Sequence, residues 1–235
     1  MIFKGKQIII FMVARSYVLK EQRKNMVTHQ LEARGIKNGA VLDAMRKVKR
    51  HRLVPDNLAD FAYQDYPLPI GKNQTISQPY IVALMTELLL PEPDHRILEI
   101  GTGSGYQAAV LAEIVKEVYT VEIIPELLEQ AKDKLDKLEY KNIFFKASDG
   151  GGGWPEAAPY DGIIVTAAAR LVPEQLFDQL KAGGRMVVPC GEPHEVQILT
   201  VYEKTADGCV AIPNIPVQFV PLTGATQNGE FDPFR

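Results

Sequence analysis

The stretch Leu98-Glu-Ile-Gly-Thr-Gly-Ser-Gly-Tyr106 decides the fold. Just before it, Arg96-Ile-Leu-Glu-Ile100 is a short apolar run of strand length. Just after it, Tyr106 to Lys116 reads as a helix. A glycine-rich turn between a strand and a helix is the joint of a βαβ unit. Glycines at 101, 103 and 105 let the backbone turn sharply and approach a ligand closely. The spacing excludes two common ligand loops. A phosphate loop needs a Gly-Lys-Ser/Thr ending, which is missing. The dinucleotide fingerprint needs G-x-G-x-x-G, whereas this loop runs G-x-G-x-G.

The same alternation continues downstream. Val118–Glu122 reads as a strand, Pro125–Leu138 as an amphipathic helix, and Ile143–Ala147 as a strand. Gly162–Val165 is a strand, Pro173–Leu180 a helix, and Arg185–Pro189 a strand. Strands alternating with helices predict a doubly wound, mostly parallel sheet with right-handed crossovers. Glu195–Tyr202 and Val217–Leu222, with a turn-rich segment between them, read as terminal antiparallel strands. Upstream, residues 16 to about 60 read as helical, interrupted at Pro55, and Ala62–Gly71 as extended or looped.

Two further features sit at strand ends. Glu122 closes the second strand, where a carboxylate can accept both ribose hydroxyls of an adenosine. Asp149, in Ser148-Asp-Gly150, can accept from an exocyclic adenine amine. Glu99, two residues before the first glycine, is an acid typical of methyl-donor sites. In this order they point to an S-adenosyl-L-methionine site.

Composition is that of an ordinary globular chain, 46% hydrophobic and 23% charged over 235 residues. A net charge of -3 argues against a nucleic-acid partner. The basic run Arg46-Lys-Val-Lys-Arg-His-Arg52 reads as a solvated helix end. Cys190 and Cys209 lack metal-site spacing and His29, His51, His95 and His194 are scattered, so neither a disulfide framework nor a metal site is expected. No apolar run has membrane-spanning length. Ile8–Ala14 after Lys4 and Lys6 faintly echoes a signal peptide, but the run is short and Arg15 ends it. The expectation is a cytoplasmic, monomeric protein.

The methyl acceptor is harder to read. No Asn/Asp-Pro-Pro-aromatic element follows the fourth strand, where Val165-Thr-Ala-Ala-Ala-Arg170 stands instead, so base amination is disfavoured. No Cys, His or Lys is an evident general base. A carboxylate acceptor needs none, because it is already ionised at neutral pH. It needs alignment, a dry site and neutral hydrogen-bond donors. Thr75, Ser77 and Thr166 are of that kind. The segment Asn73-Gln-Thr-Ile-Ser-Gln78 leads into a helix with an apolar face at Ile81, Leu84, Met85, Leu88 and Leu89. It has a plainer reading as a helix start. Thr75 with Gln78 fits a capping box, Ser77 fits an N-cap, and Pro79 suits the first turn.

The chain resembles the protein-L-isoaspartate O-methyltransferase family over roughly residues 25 to 223. The resemblance rests on Gln74-Thr-Ile-Ser-Gln-Pro79, the loop Leu98–Tyr106, Asp149-Gly150, Ala158-Pro-Tyr-Asp-Gly162, Val165–Ala169 and Phe219-Val-Pro-Leu222. The segment before the helix is its most family-specific part. The resemblance implies Ser77 as the catalytic residue. It implies donor contacts at Gln74, Thr75, Ile76, Ser77, Glu99, Gly101, Thr102, Gly103, Ser104, Gly105, Glu122, Ile123, Asp149 and Gly150, with Thr223 matching a threonine of some members. An acceptor peptide is expected near Thr166, Ala167, Ala168 and Val220, partly through backbone hydrogen bonds. The implied activity is methylation of the α-carboxyl of L-isoaspartyl residues in damaged proteins, which starts repair through a succinimide. Competing readings are a methyltransferase for another carboxylate or small metabolite, a donor-binding interaction module, and a hydride-transferring dinucleotide enzyme. Val82 departs from the pattern, standing where some members place a histidine, and Gly150–Gly153 is a longer glycine run than the pattern requires. That run reads as a lid or, more simply, a loose loop. The expected layout is an extension over 1–24, a helical segment with the acceptor loop over 25–92, the donor-binding core over 93–223 and a tail over 224–235.

Overall fold

The fold is taken from a computed structural model that describes residues 2–192 and 195–224, with side chains from residue 14 onward. The side chains of the apolar run before Arg15, His194 and the tail from residue 225 lie outside the described residues.

Seven strands form the main sheet. These are β3 (Arg96–Ile100), β4 (Glu117–Glu122), β5 (Ile143–Ala147), β6 (Tyr160–Val165), β7 (Leu180–Cys190), β8 (Gln197–Thr205) and β9 (Gly208–Val217). Their order is β5-β4-β3-β6-β7-β8-β9. The first five are parallel, and β8 and β9 are antiparallel additions. The chain leaves β3 toward β4 and returns to its other side with β6, so the order reverses between β3 and β6. Ligands of doubly wound sheets bind at the carboxyl ends of the strands beside such a reversal.

Burial on both faces explains the short apolar strands. Along β3, Ile97 packs into one core and Leu98 and Ile100 into the other. Along β6, Ile164 faces the first core while Ile163 and Val165 face the second. Each fully buried aliphatic side chain of this kind contributes about 2 kcal/mol. Helix α5 (Pro125–Lys137) begins on Pro125 and turns Leu127, Leu128, Ala131 and Leu135 inward. Helix α4 (Tyr106–Ala112) is buried almost all round and ends before Lys116, because Val115 and Ile114 fold into a turn.

The final strand differs from the sequence expectation. The strand lies at Gly208–Val217, and among the described residues beyond Val217 only Pro221 keeps a bridge, to Ala168. Pro213 and Pro216 lie in the segment expected to be turn-rich. They are accommodated because β9 is a sheet edge, where a missing N–H need not leave a gap in the ladder.

The N-terminal region is helical in pieces. Helix α1 (Ile2–Met26) runs through a π turn at Val27–Leu31, and α2 (Gly39–Lys47) starts at Asn38, whose side chain accepts from the Val41 N–H. The basic run after it is not simply a solvated end. Arg46 and Lys47 pair with Asp43, Glu32 and Glu113, but Arg50 is fully buried. Its Nε donates to the Ala62 carbonyl at 2.7 Å. No described helix is long and apolar enough to cross a membrane.

The helix after the polar segment also begins differently. The strand β2 (Gln74–Ile76) pairs antiparallel with β1 (Leu68–Gly71), and α3 spans Pro79–Leu89 with Gln78 as its N-cap. No side chain caps it. The capping readings of Thr75 and Ser77 therefore fail. Thr75 belongs to a strand, and the hairpin takes Ser77 out of the helix start.

Candidate active site

A cleft opens at the carboxyl ends of β3, β4 and β6, with the 74–77 segment and the 220–223 segment across its mouth. An outer groove continues from it toward Arg34, Tyr80, Ile215 and Phe219. Gln74, Thr75, Ser77, Thr166, Val220 and Thr223 line both, so the two spaces meet there.

The glycine loop forms the floor of the inner cleft. Gly101, Thr102, Gly103 and Ser104 line it, and Gly105 does not. Gly105 caps α4 with φ +80°, and a Cβ on it would lie 2.7 Å from Leu135 Cδ1. Its small size serves the packing of α5 against the loop. Gly101 has φ +95°, and a Cβ there would meet Thr166 Oγ1 at 2.5 Å. That close approach lets the Thr166 hydroxyl donate to the carbonyls of Ile100 and Gly101, at 3.0 and 2.6 Å. Thr166 is in place, but its proton is committed to the loop. It cannot hold a carboxylate by donation, as the sequence reading expected.

Two carboxyl groups face this floor. Glu122 accepts from the Gly103 N–H at 2.8 Å and from the Ile124 N–H at 3.0 Å. It ties the loop to the end of β4 and keeps lone pairs on both oxygens for a ligand. Glu99 is fully buried, and its Oε1 has no hydrogen-bond partner among the described residues. Its Oε2 accepts from Thr120 Oγ1 at 2.5 Å, and Thr102 Oγ1 lies 2.7 Å from Thr120 Oγ1. Thr120 has one proton, so Thr102 donates to Thr120 and Thr120 to Glu99. Burial outweighs that bond and pushes the Glu99 carboxyl up to about 8, with the Glu122 charge adding to the rise.

The third wall comes from the loop after β5. Gly150 lines the cleft, and a Cβ on it would lie 2.3 Å from Ile100 Cγ2. Asp149 does not line it. Its Oδ1 accepts from the Gly151 N–H at 2.9 Å, and its carboxylate abuts Gly224. The glycine run is not a loose loop. Gln179 is buried, accepts from the Trp154 N–H at 2.8 Å and donates to the Gly152 carbonyl at 2.9 Å.

On the acceptor side, Ala167 and Val220 line the cleft and Ala168 does not. The Ala168 N–H donates to the Val220 carbonyl, and the Leu222 N–H donates to the Ala168 carbonyl, each at 2.8 Å. Ala169 is bonded to Pro189 and Gly191 in the same way. The chain's own 220–222 segment occupies the backbone positions that a peptide was expected to use. Ser77 is half-buried, and its hydroxyl makes no hydrogen bond among the described residues.

Several lining residues escaped the sequence reading. Ile76 and Ile123 were expected, but Met85, Tyr106, Gln107, Ile124 and Pro221 were not. Gln107 had a usable signal, being polar one residue into a helix that follows a ligand loop. Its Nε2 donates to Thr86 Oγ1 at 2.9 Å, and the Thr86 hydroxyl donates to Val82 O, which leaves the Gln107 Oε1 as an acceptor at the cleft. Val82 lines the same wall.

A doubly wound sheet with a glycine floor, two acidic strand ends and an adjoining groove defines a class I methyltransferase fold. The family model described as protein-L-isoaspartate(D-aspartate) O-methyltransferase (PCMT) matches residues 21–227. A protein-L-isoaspartate O-methyltransferase of Gloeobacter violaceus is 53% identical over 198 residues, covering 84% of this chain and 97% of its own. One from Nitrosospira multiformis, named protein-L-isoaspartate O-methyltransferase 1, is 56% identical over 205 residues, covering 86% and 87%. A solved protein-L-isoaspartate O-methyltransferase superposes with a TM-score of 0.78 at 30% identity, covering 86% of this chain and 66% of its own. A Plasmodium falciparum structure described as a putative protein-L-isoaspartate O-methyltransferase with S-adenosyl-L-homocysteine gives a TM-score of 0.75 at 24% identity, covering 86% and 98%. The chain belongs to the protein-L-isoaspartate(D-aspartate) O-methyltransferase family.

Proposed function

We propose that the protein transfers a methyl group from S-adenosyl-L-methionine to the α-carboxylate of L-isoaspartyl residues in damaged proteins. One observation carries this reading. Ser77 holds a hydroxyl without a partner among the described residues, at the place where the inner cleft and the outer groove meet.

The inner cleft fits the donor. It is lined by two carboxyl groups and by no cationic side chain among the described residues, which suits a positively charged molecule. Glu122 and Ile123 suit the ribose side, and Gly150 leaves a flat wall for a base. The buried Oε1 of Glu99 and the Oε1 of Gln107 suit the cationic end. When bound, the donor supplies an electrophilic methyl on its sulfonium.

The remaining requirements fall to the chain. A carboxylate acceptor arrives ionised, so no base is needed, and no Lys, His or Cys lines the inner cleft among the described residues. Ser77 donates to the acceptor carboxylate and orients it. Tyr80 and Ile81, in the first turn of α3, line the groove beside it, and a helix start favours negative charge there. The 220–223 segment, pinned to Ala168, covers the junction and excludes water. The acceptor enters through the outer groove as a flexible, extended segment. The following backbone amide nitrogen then attacks the ester carbonyl, methanol leaves, and the succinimide closes without further help.

Cys190 and Cys209 are unpaired, which supports a reducing, cytoplasmic setting, and we read the protein as a monomer. The test is a methylation assay with an isoaspartyl peptide and its aspartyl twin. Transfer to the first alone is expected, and equal rates on both would overturn the reading.

A further inference from the structure

The basic run at 46–52 holds a cation that the proposed reaction does not use. Arg50 is fully buried, and its guanidinium faces the Tyr106 ring at 4.7 Å from the centroid. Only its Nε is bonded; Nη1 and Nη2 have no hydrogen-bond partner among the described residues. A buried guanidinium is costly unless an anion lies close. Burial acts against its charge most strongly, and Tyr106, Tyr63 and Asp65 offset this in part.

Asp65 is divided between the interior and the groove. Its Oδ1 is buried and has no hydrogen-bond partner among the described residues. Its Oδ2 accepts from Arg34 Nη1 at 2.5 Å. Arg34 lies over the Tyr80 ring at 3.5 Å, and both residues line the outer groove. The Asp65 backbone carbonyl also accepts from Gln78 Nε2 at 2.9 Å. Gln78 follows Ser77 directly. The turn that carries Asp65 therefore grips the chain just after Ser77 at two points, and no side-chain cap fixes that chain instead.

We propose that Asp65 is a positioning residue for the acceptor side of the site, holding Arg34 flat against Tyr80 as the groove wall and thereby fixing the start of α3 beside Ser77. The proposal rests on the reading of the groove as a peptide-carboxylate site. Without Asp65, Arg34 becomes a mobile cation and leaves the Tyr80 face. The inner cleft shares neither residue, so donor binding is left alone.

The experiment measures steady-state kinetics of the full-length protein with an isoaspartyl peptide, and donor-side affinity by calorimetry with S-adenosyl-L-homocysteine. Asp65→Asn is expected to raise the peptide KM roughly five-fold, the scale of one partly exposed ion pair. Affinity for S-adenosyl-L-homocysteine is expected to stay within about two-fold, and Asp65→Glu, which keeps the charge, to recover part of the peptide KM. Should Asp65→Asn fail to fold, the exposed Arg34→Gln carries the same expectation. In the double variant the two effects are expected not to add, since one contact is removed twice. An unchanged peptide KM, or peptide KM and product affinity worsening together, overturns the proposal. Loss of discrimination between isoaspartyl and aspartyl peptides by the unaltered protein would instead overturn the functional reading.

Discussion

The inner cleft and the outer groove share Ser77 but are built differently. Around the cleft, polar groups are tied to the chain. Thr166 holds the glycine loop, Glu122 holds Gly103, and Gln179 holds the Gly150 turn. In the groove, Ser77 has no hydrogen bond among the described residues and Thr75 is exposed. The cleft serves one donor of constant shape, so rigid preorganisation helps it. The groove serves a segment that differs from protein to protein; Asp65 holds its Arg34 wall, while Ser77 and Thr75 at the junction are left for that segment to complete.

Damage to the cleft is therefore expected to be structural, and damage to the junction kinetic. The largest effect is expected from Gly150→Ala. The added methyl meets Ile100 Cγ2, a buried strand residue that cannot retreat. A loss of about 3 kcal/mol in stability is expected, with donor affinity falling together with it. Thermal melting and S-adenosyl-L-homocysteine calorimetry check both, and an unchanged melting temperature would break the comparison.

Ser77→Ala tests the other half. Because Ser77 caps no helix, its melting temperature should match the parent within about 1 °C, whereas a lost cap would cost about 1 kcal/mol. Turnover should fall about 100-fold, the scale of a lost orienting contact, with donor affinity nearly unchanged. A turnover close to that of the parent would remove the serine from the chemistry.

The smallest effect sharpens the comparison through pH. The Glu99 carboxyl is raised from its ordinary value to about 8 in the folded state. A raised carboxyl stabilises the fold in its protonated form. That contribution is complete below the unfolded value near 4.5 and is lost as pH rises through about 8. Relative to Glu99→Gln, the parent should therefore lose stability between roughly pH 4.5 and 8. Affinity for the cationic donor should move the opposite way, rising with pH in the parent and staying flat in Glu99→Gln. Chemical denaturation and donor titrations across that window check the two signs together. Parallel curves for both proteins would show that the Glu99 oxygen does not face the donor's charge.

Much of the donor half was legible without coordinates. Gly101 and Gly103 line the cleft, and Glu99 and Glu122 stand at adjacent strand ends, as their spacing suggested. The acceptor half was legible only as a set of residues. Thr166 and Ala168 on the acceptor side, and Asp149 on the donor side, stand beside the cleft with their polar groups taken up inside the chain. Thr166 donates to a carbonyl 65 positions away, Ala168 is bonded to Val220 and Leu222, and Asp149 turns toward Gly151. No local pattern reports which partner a polar group will find across the fold.

The sequence by itself determined the alternation of strands and helices, the parallel sheet and the glycine floor, because period and glycine spacing act over a few residues. Tertiary structure alone decided that Ser77 keeps its hydroxyl free among the described residues, that Arg50 lies inside and not at a surface, and that Gln179 pins the glycine run. Those outcomes depend on hydrogen bonds and burial between segments far apart in the chain. Only the closed sheet and its packed loops bring such segments within reach.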